Sequence, residues 1–170
     1  MSPPAPAPFQ SRHLAQALAL QSRAYPAFLV EPEPAFASRL HVAAPFNLVV
    51  ERDGHLLAYL LAHGWPRESP PPVGAVLDPM RTGDTLYLHD LAVSPNARGM
   101  GIGQALVAHC FALAAAGELE RAELIAVEGA ADFWRRLGFR AETPSPALAT
   151  KVARYGPAAQ WMWRPLGPAG

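Results

Sequence analysis

Residues 98 to 103 read Arg-Gly-Met-Gly-Ile-Gly and lie between an apolar run that ends at Val93 and a long apolar stretch that begins at Gln104. Glycine has no Cβ atom, so a phosphate can approach this backbone closely, and Arg98 can add a charge-assisted contact. A helix start leaves about four backbone N–H groups unpaired and carries partial positive charge. The spacing predicts a diphosphate-binding loop; the alternative is a tight strand-to-helix turn.

Two other kinds of glycine-rich loop fit the same residues less well. A Walker loop requires Gly-Lys-Ser/Thr, whereas Gly103 is followed by Gln104 and Ala105. A dinucleotide fingerprint requires G-x-G-x-x-G, whereas Gly99, Gly101 and Gly103 are spaced two and two, and only one βαβ unit is available. Neither reading is favoured.

The elements around this loop are predicted from periodicity, proline and glycine. Residues 85 to 93 have the composition of a strand, and residues 101 to 116 read as a helix with a buried stripe of Ile102, Leu106, His109 and Leu113. The other predicted elements are a helix over 11–24, a short helix over 33–41, a hairpin of 47–51 with 56–62, strands over 121–127 and 160–164, a short helix over 130–137 and a strand start at 139–142. Residues 63 to 84 are predicted to form a long loop before the next strand. The order in the second half predicts a mixed α/β sheet with one right-handed crossover.

Composition and charge limit the class of protein. The 170 residues are 51% hydrophobic, which predicts one domain over residues 1–170, with residues 1–10 flexible. Fourteen basic residues balance 14 acidic ones, so no nucleic-acid partner is expected. The longest apolar stretches are too short for a membrane span and the N-terminus lacks a signal-peptide pattern, which predicts a cytoplasmic protein without a membrane partner. Cys110 is expected to be an inert buried thiol, and no metal site is readable.

Two motifs together resemble the GNAT superfamily of acyl-CoA-dependent N-acyltransferases. The first is YLHDLAVSPNARGMGIGQALV, residues 87 to 107, which matches a strand leading through Arg-x-x-Gly-x-Gly/Ala into a helix. The second is DFWRRLGF, residues 132 to 139, which matches an aromatic pair followed by Leu-Gly-Phe. Two motifs in order at the expected separation are more specific than either alone. The resemblance covers residues 47 to 142 and extends to the final strand.

The resemblance implies an α/β (α+β) fold with a mixed, mostly antiparallel sheet of six to seven strands and about four flanking helices. Its fourth and fifth strands, here residues 85 to 93 and 121 to 127, are expected to splay apart. Splayed strands leave backbone N–H and C=O groups that require partners. The amides of the pantetheine arm of acetyl-CoA, the implied cosubstrate, can supply them.

The same resemblance assigns cofactor contacts residue by residue. The backbone of Leu91, Ala92 and Val93 is expected to pair with the pantetheine arm, and the aromatic pair Phe133 and Trp134 to lie beside the cofactor. The residues implied to hold the diphosphate are Arg98, Gly99, Met100, Gly101, Ile102, Gly103 and Gln104.

Acyl transfer to an amine requires a proton acceptor, because an alkyl amine is almost wholly protonated at pH 7. GNAT enzymes often place this group on or near the fourth strand, where the chain offers His89 and Asp90. Strand alternation predicts that only one of them faces the cleft. Aspartate needs burial to raise its pKa, whereas histidine begins near neutrality, so both are candidates. The alternatives are a hydrogen-bonded core or sheet residue for His89 and a structural cap of a bulge for Asp90. A backbone N–H near Val93 is expected to stabilise the developing oxyanion.

The proton donor to the leaving thiolate is less clear in the sequence. Many GNAT enzymes have a tyrosine as second member of the aromatic pair, but this chain has Trp134, whose indole N–H is not a useful acid. Tyr155 is the alternative candidate, or else a turn residue that packs on the sheet. A thiol of ordinary pKa also leaves tolerably without an acid.

Substrate contacts are expected opposite the cofactor, from the first helices and the segment after the hairpin. Tyr25, Phe28, His63 and Trp65 are the aromatic and polar candidates there, and an aromatic floor can attract an amine by cation–π interaction. The alternative is that these aromatic residues, which lie beside prolines, only pack. Glu128 and Asp132 are candidates to draw in a cation, or are solvated charges near a helix start.

These features predict an N-acetyltransferase that transfers an acetyl group from acetyl-CoA to a primary amine of a small molecule, amino acid or peptide in a ternary complex. A catalytically silent acyl-CoA-binding sensor or scaffold is one alternative, and a protein lysine or N-terminal acetyltransferase is another. The chain is expected to be a monomer or homodimer.

Overall fold

The computed structural model describes residues 2–43 and 45–167, which form one seven-stranded sheet with five α-helices. The strands are β1 (Ala7–Pro8), β2 (Leu48–Arg52), β3 (His55–Trp65), β4 (Thr85–Val93), β5 (Arg121–Ala126), β6 (Arg140–Ala141) and β7 (Gln160–Pro165). The helices are α1 (Leu14–Ala24), α2 (Glu33–Ser38), α3 (Ile102–Ala116), α4 (Ala131–Arg136) and α5 (Pro146–Ala153). Single 3₁₀ turns occupy Ser11–His13, Ala27–Leu29 and Pro95–Ala97.

The sheet order is β1-β2-β3-β4-β5-β7-β6, and β4 with β5 is its one parallel pair among the described residues. That pairing joins only Thr85 to Arg121, Leu86 to Ala122 and Tyr87 to Glu123. Beyond Tyr87 the two strands separate, although β4 continues to Val93. The mixed, mostly antiparallel fold with splayed fourth and fifth strands is confirmed.

A bulge interrupts β4 at the point where the strands part. Leu61 of β3 pairs with Asp90, but the next residue, Ala62, pairs with Leu88, so His89 is an extra residue in β4. An inserted residue reverses the strict alternation of side chains on the bulged strand. As a result, Leu86 and Leu88 pack on the same side as Leu91 and Val93, on either side of the bulge.

Helix α3 packs on that side of the sheet and forms the largest core cluster with β2, β3, β4 and β5. Its buried residues are Ile102, Gly103, Leu106, Val107, Cys110 and Ala114. The predicted stripe was therefore wrong at His109 and Leu113, which are exposed: both lie one step around the helix from Cys110 and Ala114. Cys110 is buried as expected, and burial raises the pKa of its thiol to about 12.

The opposite side of the sheet carries α1 and α2 on an aromatic cluster that includes Phe36 and Tyr59.

Two elements, one at each end of the chain, were not predicted from the sequence. Ala7 and Pro8, in the segment expected to be flexible, pair with β2 as an edge strand. Helix α5 begins at a proline, with the Ser145 hydroxyl accepting from the Leu148 N–H as an N-cap.

The hairpin between β2 and β3 is confirmed. Its turn residues Asp53 and Gly54 have φ values of 52° and 79°, as an Asp-Gly turn requires. Within the described residues, no helix is long and apolar enough to cross a membrane.

Candidate active site

A cavity of about 580 Å³ opens where β4 and β5 separate. One end of the cavity is formed by the loop before α3, and the other by residues from the 3₁₀ turn Ala27–Leu29, the bulge of β4 and the segment after α5. The site is therefore positioned by the splayed sheet, with polar groups from several elements meeting in one space.

The glycine loop presents its backbone to this cavity. Gly99 and Gly101 have φ values of 81° and 74°, a left-handed conformation that glycine adopts without strain. The first helical hydrogen bond of α3 runs from the N–H of Ala105 to the carbonyl of Gly101. Among the described residues, none of the N–H groups from 99 to 104 has a hydrogen-bond partner. Six unpaired donors at a helix start are an arrangement that can hold an anion, as the spacing led us to expect.

Most of the predicted diphosphate residues line the cavity. Arg98, Gly99, Gly101, Ile102, Gly103 and Gln104 do so, whereas the side chain of Met100 packs against the core beneath α3. A Cβ atom at Gly103 would meet Phe133 Cζ at 3.4 Å, so glycine lets the ring of Phe133 lie against the helix start. Phe133 and Trp134 both line the cavity, and Trp134 is buried edge-on against Phe133 and Phe139.

The free edge of β4 supplies the backbone groups expected to pair with a cofactor arm. The Ser94 N–H donates to Leu57 of β3, and antiparallel ladders alternate between bonded and non-bonded pairs. Leu91 and Val93 therefore direct their N–H and C=O groups away from β3, towards the cavity. Ala92 is a correction to the prediction, because the same alternation directs its backbone groups to Tyr59 on β3.

The bulge also overturns the expectation that only one of His89 and Asp90 faces the site. Both residues line the cavity, because the extra residue in β4 places their side chains on the same side of the sheet. Asp90 contacts Tyr59, and His89 contacts the rings of His63 and Tyr87, all on the side of α1 and α2. The site therefore holds two adjacent titratable groups.

In the described part of the chain, only one of the two carboxylate oxygens of Asp90 accepts a hydrogen bond. The Tyr59 hydroxyl donates to Asp90 Oδ2 at 2.6 Å, while buried Oδ1 has no partner among the described residues. The nearby Tyr25 hydroxyl donates instead to the Leu91 carbonyl at 2.7 Å. Burial raises the pKa of Asp90, and the neighbouring tyrosines and His89 oppose only part of that increase. A carboxylate with a raised pKa is a better proton acceptor.

His89 is held by Glu31, a residue that the sequence reading did not single out. His89 Nε2 lies 2.5 Å from Glu31 Oε1 and 3.0 Å from Arg39 Nε. One ring nitrogen cannot donate and accept at once, so we assign its proton to the shorter contact with the carboxylate. His89 Nδ1 has no partner among the described residues.

Glu31 is itself fixed from several directions. Its Oε2 accepts from Arg39 Nη2 at 3.1 Å and from the Gly74 N–H at 2.7 Å, and its backbone pairs with the side-chain amide of Gln21. Burial alone would raise the pKa of Glu31, but His89, Arg39 and the Gly74 N–H together lower it. A glutamate in the stretch Val30-Glu31-Pro32 carries no sequence signal for such a role, which only the tertiary contacts reveal.

Tyr155 lines the cavity, but its hydroxyl donates to the Pro71 carbonyl. Burial also raises the pKa of Tyr155. The proton that an acid would supply is therefore already committed to a carbonyl. This geometry speaks against the acid role and favours the packing role weighed for Tyr155.

The structure divides the four predicted substrate residues. Tyr25 lines the cavity, whereas Phe28 is half exposed outside the lining, with its ring 3.2 Å from the position of a Cβ atom at Gly156 and thus close to the lining residue Glu128. His63 and Trp65 lie elsewhere: His63 is fully buried among aromatic rings, and Trp65 donates its indole N–H to Ser69. Trp65 packs in a cluster with Leu148 and Val152 of α5, because β3 extends to residue 65, three residues beyond the predicted strand end.

Comparisons with known proteins relate this chain to a family and to solved structures. The family model described as Acetyltransferase (GNAT) family matches residues 14–139. A search of curated proteins finds no match. Among solved structures, the ribosomal-protein-S18-alanine N-acetyltransferase from Escherichia coli is similar with a TM-score of 0.69 and 20% identity, over 97% of this chain and 95% of that chain.

Two further structures show the range of this fold. Naa50 from Arabidopsis thaliana, in complex with the bisubstrate analogue CoA-Ac-MVNAL, has a TM-score of 0.66 and 15% identity, over 94% of this chain and 97% of that chain. GphF, a GNAT-like decarboxylase in complex with isobutyryl-CoA, has a TM-score of 0.69 and 15% identity, over 95% of this chain and 99% of that chain. At these identities the structures show the shared fold. The family match, together with the glycine loop and the splayed strands, shows that the chain belongs to the acetyltransferase (GNAT) family.

Proposed function

We propose that this protein is an acetyl-CoA-dependent N-acetyltransferase that acts on a primary amine of a small molecule or peptide. The observation that carries the proposal is that one cavity joins two sites. At one end lie six backbone N–H groups that have no partner in the described part of the chain, and the candidates His89 and Asp90 lie at the other end. A decarboxylase on the same fold would not require a group that accepts a proton from an amine.

The residues present fit acetyl-CoA on three observations. The loop N–H groups and Arg98 offer charge and donors to a diphosphate. The Leu91 N–H and the Val93 carbonyl are available to the amides of a pantetheine arm, since the Leu91 carbonyl already accepts from the Tyr25 hydroxyl. The half-buried ring of Phe133 closes the side of the cavity next to Gly103. Acetyl-CoA supplies the activated thioester, and the chain supplies the binding surface around it.

Asp90 is the proton acceptor in this proposal. Its unpartnered Oδ1 and raised pKa let it take a proton from an ammonium group, while Tyr59 holds the other oxygen in place. His89 is fixed by Glu31 and lies beside Asp90 as the second titratable group. Positioned proton transfer of this kind is worth about 10²- to 10⁴-fold in rate.

The remaining chemistry needs few side chains. The N–H of Val93, on the free edge of β4, is the donor for the developing oxyanion and needs no reorganisation. No side-chain acid is assigned to the leaving thiolate, because Trp134 is not acidic and the Tyr155 hydroxyl is bonded to Pro71. A thiolate of ordinary pKa departs without one.

The test is release of free thiol from acetyl-CoA in the presence of a panel of primary amines. The proposal expects thiol release that depends on an amine and saturates with it, accompanied by an acetylated product. Binding of acetyl-CoA with no turnover on any amine would overturn it.

A silent acyl-CoA-binding module is the second candidate, favoured by one observation. Neither position considered for the acid carries an available acid, since one is Trp134 and the other is the tied Tyr155. The same thiol assay separates the two candidates, because the module would bind acetyl-CoA and release no thiol.

A further inference from the structure

Among the described residues, the acceptor end of the cavity carries carboxylates and no lysine or arginine to balance an anionic substrate. We define this end by Leu29, Glu31, Val73, Asp90, Glu128 and Tyr155, all of which line the cavity. Among the described lining residues, Arg98 is the one lysine or arginine, and it belongs to the glycine loop at the other end. A substrate carboxylate at the acceptor end would find no side-chain ammonium or guanidinium group in the lining.

The one arginine behind this end is not available either. Arg39 is fully buried. Its guanidinium already donates to the carbonyls of Ala35 and Ala75 and to Glu31 Oε2, at 2.6, 2.6 and 3.1 Å. A guanidinium with these partners ties α2 to the segment before β4, and Glu31 stands between it and the cavity.

The rim of the acceptor end adds a further negative charge and an apolar surface. Glu128 follows β5, is exposed and lines the cavity. Its Oε1 and the ring of Phe28 both lie within 4 Å of the position of a Cβ atom at Gly156, so they flank the same rim. Leu29 and Val73 supply apolar wall inside.

These charges favour or disfavour binding of an amine according to the chemical group next to its amino group. Enclosing an unpaired carboxylate is strongly unfavourable, and Asp90 and Glu128 would repel it in addition. An ammonium group attached to an apolar substituent meets no such penalty, and a carboxylate at the rim attracts it. His89 Nδ1, unpartnered on a side chain that is 3% exposed, remains as a polar contact within the same lining.

We infer that the acceptor is a primary amine with an apolar substituent and no free carboxylate beside the amine, so that free α-amino acids are excluded. The inference rests on the proposed function and narrows it. Peptide N-termini and alkyl amines both have this chemistry, since an amide bond or a missing carboxyl group removes the charge.

The test compares three acceptors that differ only in the carboxyl group: leucinamide, isopentylamine and leucine, each with saturating acetyl-CoA. We expect kcat/KM for leucinamide or isopentylamine to exceed that for leucine by at least tenfold. Preference for leucinamide would indicate a peptide N-terminus, and preference for isopentylamine an alkyl amine. Equal kcat/KM for leucine would overturn the inference and leave the proposed function intact.

A charge reversal at the rim tests the cause of the selectivity. Glu128→Lys places a cation where a substrate carboxylate would lie, and the expected result is a shift of the leucine-to-leucinamide ratio of kcat/KM towards leucine by at least tenfold. The matched control is Glu120→Lys, which makes the same change at an exposed residue before the other end of β5 and should leave the ratio unchanged.

The outcomes distinguish failure of the inference from failure of the proposed function. A ratio that moves equally in both variants would show a general charge effect and would count against the rim. Absence of turnover with all three acceptors and with the wider amine panel, while acetyl-CoA binds, would remove the proposed function and this inference with it.

Discussion

Asp90 is the residue on which the proposed chemistry depends most. Its carboxylate has one oxygen bonded to Tyr59 and one without a partner, and burial raises its pKa. A base with a raised pKa must lose its proton before it can act, so kcat/KM should rise with pH through that raised pKa. An aspartate with an ordinary pKa would already be ionised at the pH values over which this rise is expected.

Asp90→Asn should lower kcat by about 10²- to 10⁴-fold while acetyl-CoA affinity stays within threefold, because the amide cannot accept the proton. The measurement is thiol release across pH 5 to 9 together with acetyl-CoA binding. Asp84→Asn, at an exposed residue just before the same strand, is the control and should retain wild-type rates. Full activity in Asp90→Asn with loss in His89→Gln would transfer the base role to His89.

His63 gives a prediction about stability. Burial, and then the charges of His89 and Arg39, lower the pKa of His63 to about 3, whereas an unfolded histidine has a pKa near 6.5. The unfolded chain therefore binds an extra proton between these values. The stability associated with neutral His63 is complete above pH 6.5 and is lost as pH falls towards 3.

His63→Phe keeps a ring in the buried aromatic cluster and removes this titration. The dependence of unfolding free energy on pH between 4 and 6 should become shallower by up to about 1.4 kcal/mol per pH unit, measured by urea denaturation. His55→Phe, at an exposed position in the same strand β3, is the control. Identical slopes in wild type and His63→Phe would contradict the burial argument.

At this scale the sequence predicted the types of residue better than their environments. His89, Asp90 and the loop glycines follow from motif and spacing, and they do line one cavity. Glu31 could not be predicted, because its role arises from contacts with Arg39, Gly74 and His89, which are 8, 43 and 58 residues away. Trp65 was misplaced because an aromatic residue beside proline has no sequence signal for the side of the sheet that it faces.

The glycine loop and the bulge act at the scale of elements. Gly101 is the residue before α3 and has φ of 74°, and a Cβ atom there would meet nothing closer than Gln104 Oε1 at 3.5 Å. Alanine would therefore fit sterically but would strain the backbone by about 1 to 2 kcal/mol. If the backbone rotated to relieve that strain, the loop N–H groups would no longer point into the cavity.

Gly101→Ala should accordingly lower both the unfolding free energy, by about 1 to 2 kcal/mol, and the affinity for CoA, by at least tenfold. Gly54→Ala is a matched control, since Gly54 has φ of 79°, no atom within 4 Å of its Cβ position and a place in the β2–β3 turn. The control should lose similar stability and keep its CoA affinity, by denaturation and calorimetry. Equal CoA affinity in both variants would count against the loop as the diphosphate site.

Element bounds followed from periodicity wherever a pattern was uninterrupted. Residues 85 to 93 form β4 as predicted, and α3 begins one residue after the predicted start. The position of the bulge was not predicted, because no glycine or proline marks His89 and the alternation rule assumes an unbroken strand. Helix α5 was missed because the prolines around its start were interpreted only as breaks between elements.

At the scale of the molecule, the resemblance supplied what local patterns could not. Strand order, the parallel contact of β4 with β5 and their divergence depend on pairings across the chain, and no periodicity encodes them. The motifs at residues 87 to 107 and 132 to 139 placed these features in advance because they belong to a family with that sheet. The finer question of the acceptor depends on cavity charge, which only the folded chain displays.

The most direct test of the account is calorimetric binding of acetyl-CoA compared with acetyl-pantetheine, which has the same thioester arm without the diphosphate. Acetyl-CoA should bind at least 100-fold more tightly, and at 100 times its Kd it should stabilise the fold by about 2.7 kcal/mol. Acetyl-pantetheine also lacks the adenosine phosphate, so this result together with the loss of CoA affinity in Gly101→Ala would assign the diphosphate to the N–H groups at residues 99 to 104. Equal affinities for the two compounds, or binding of neither, would contradict the account.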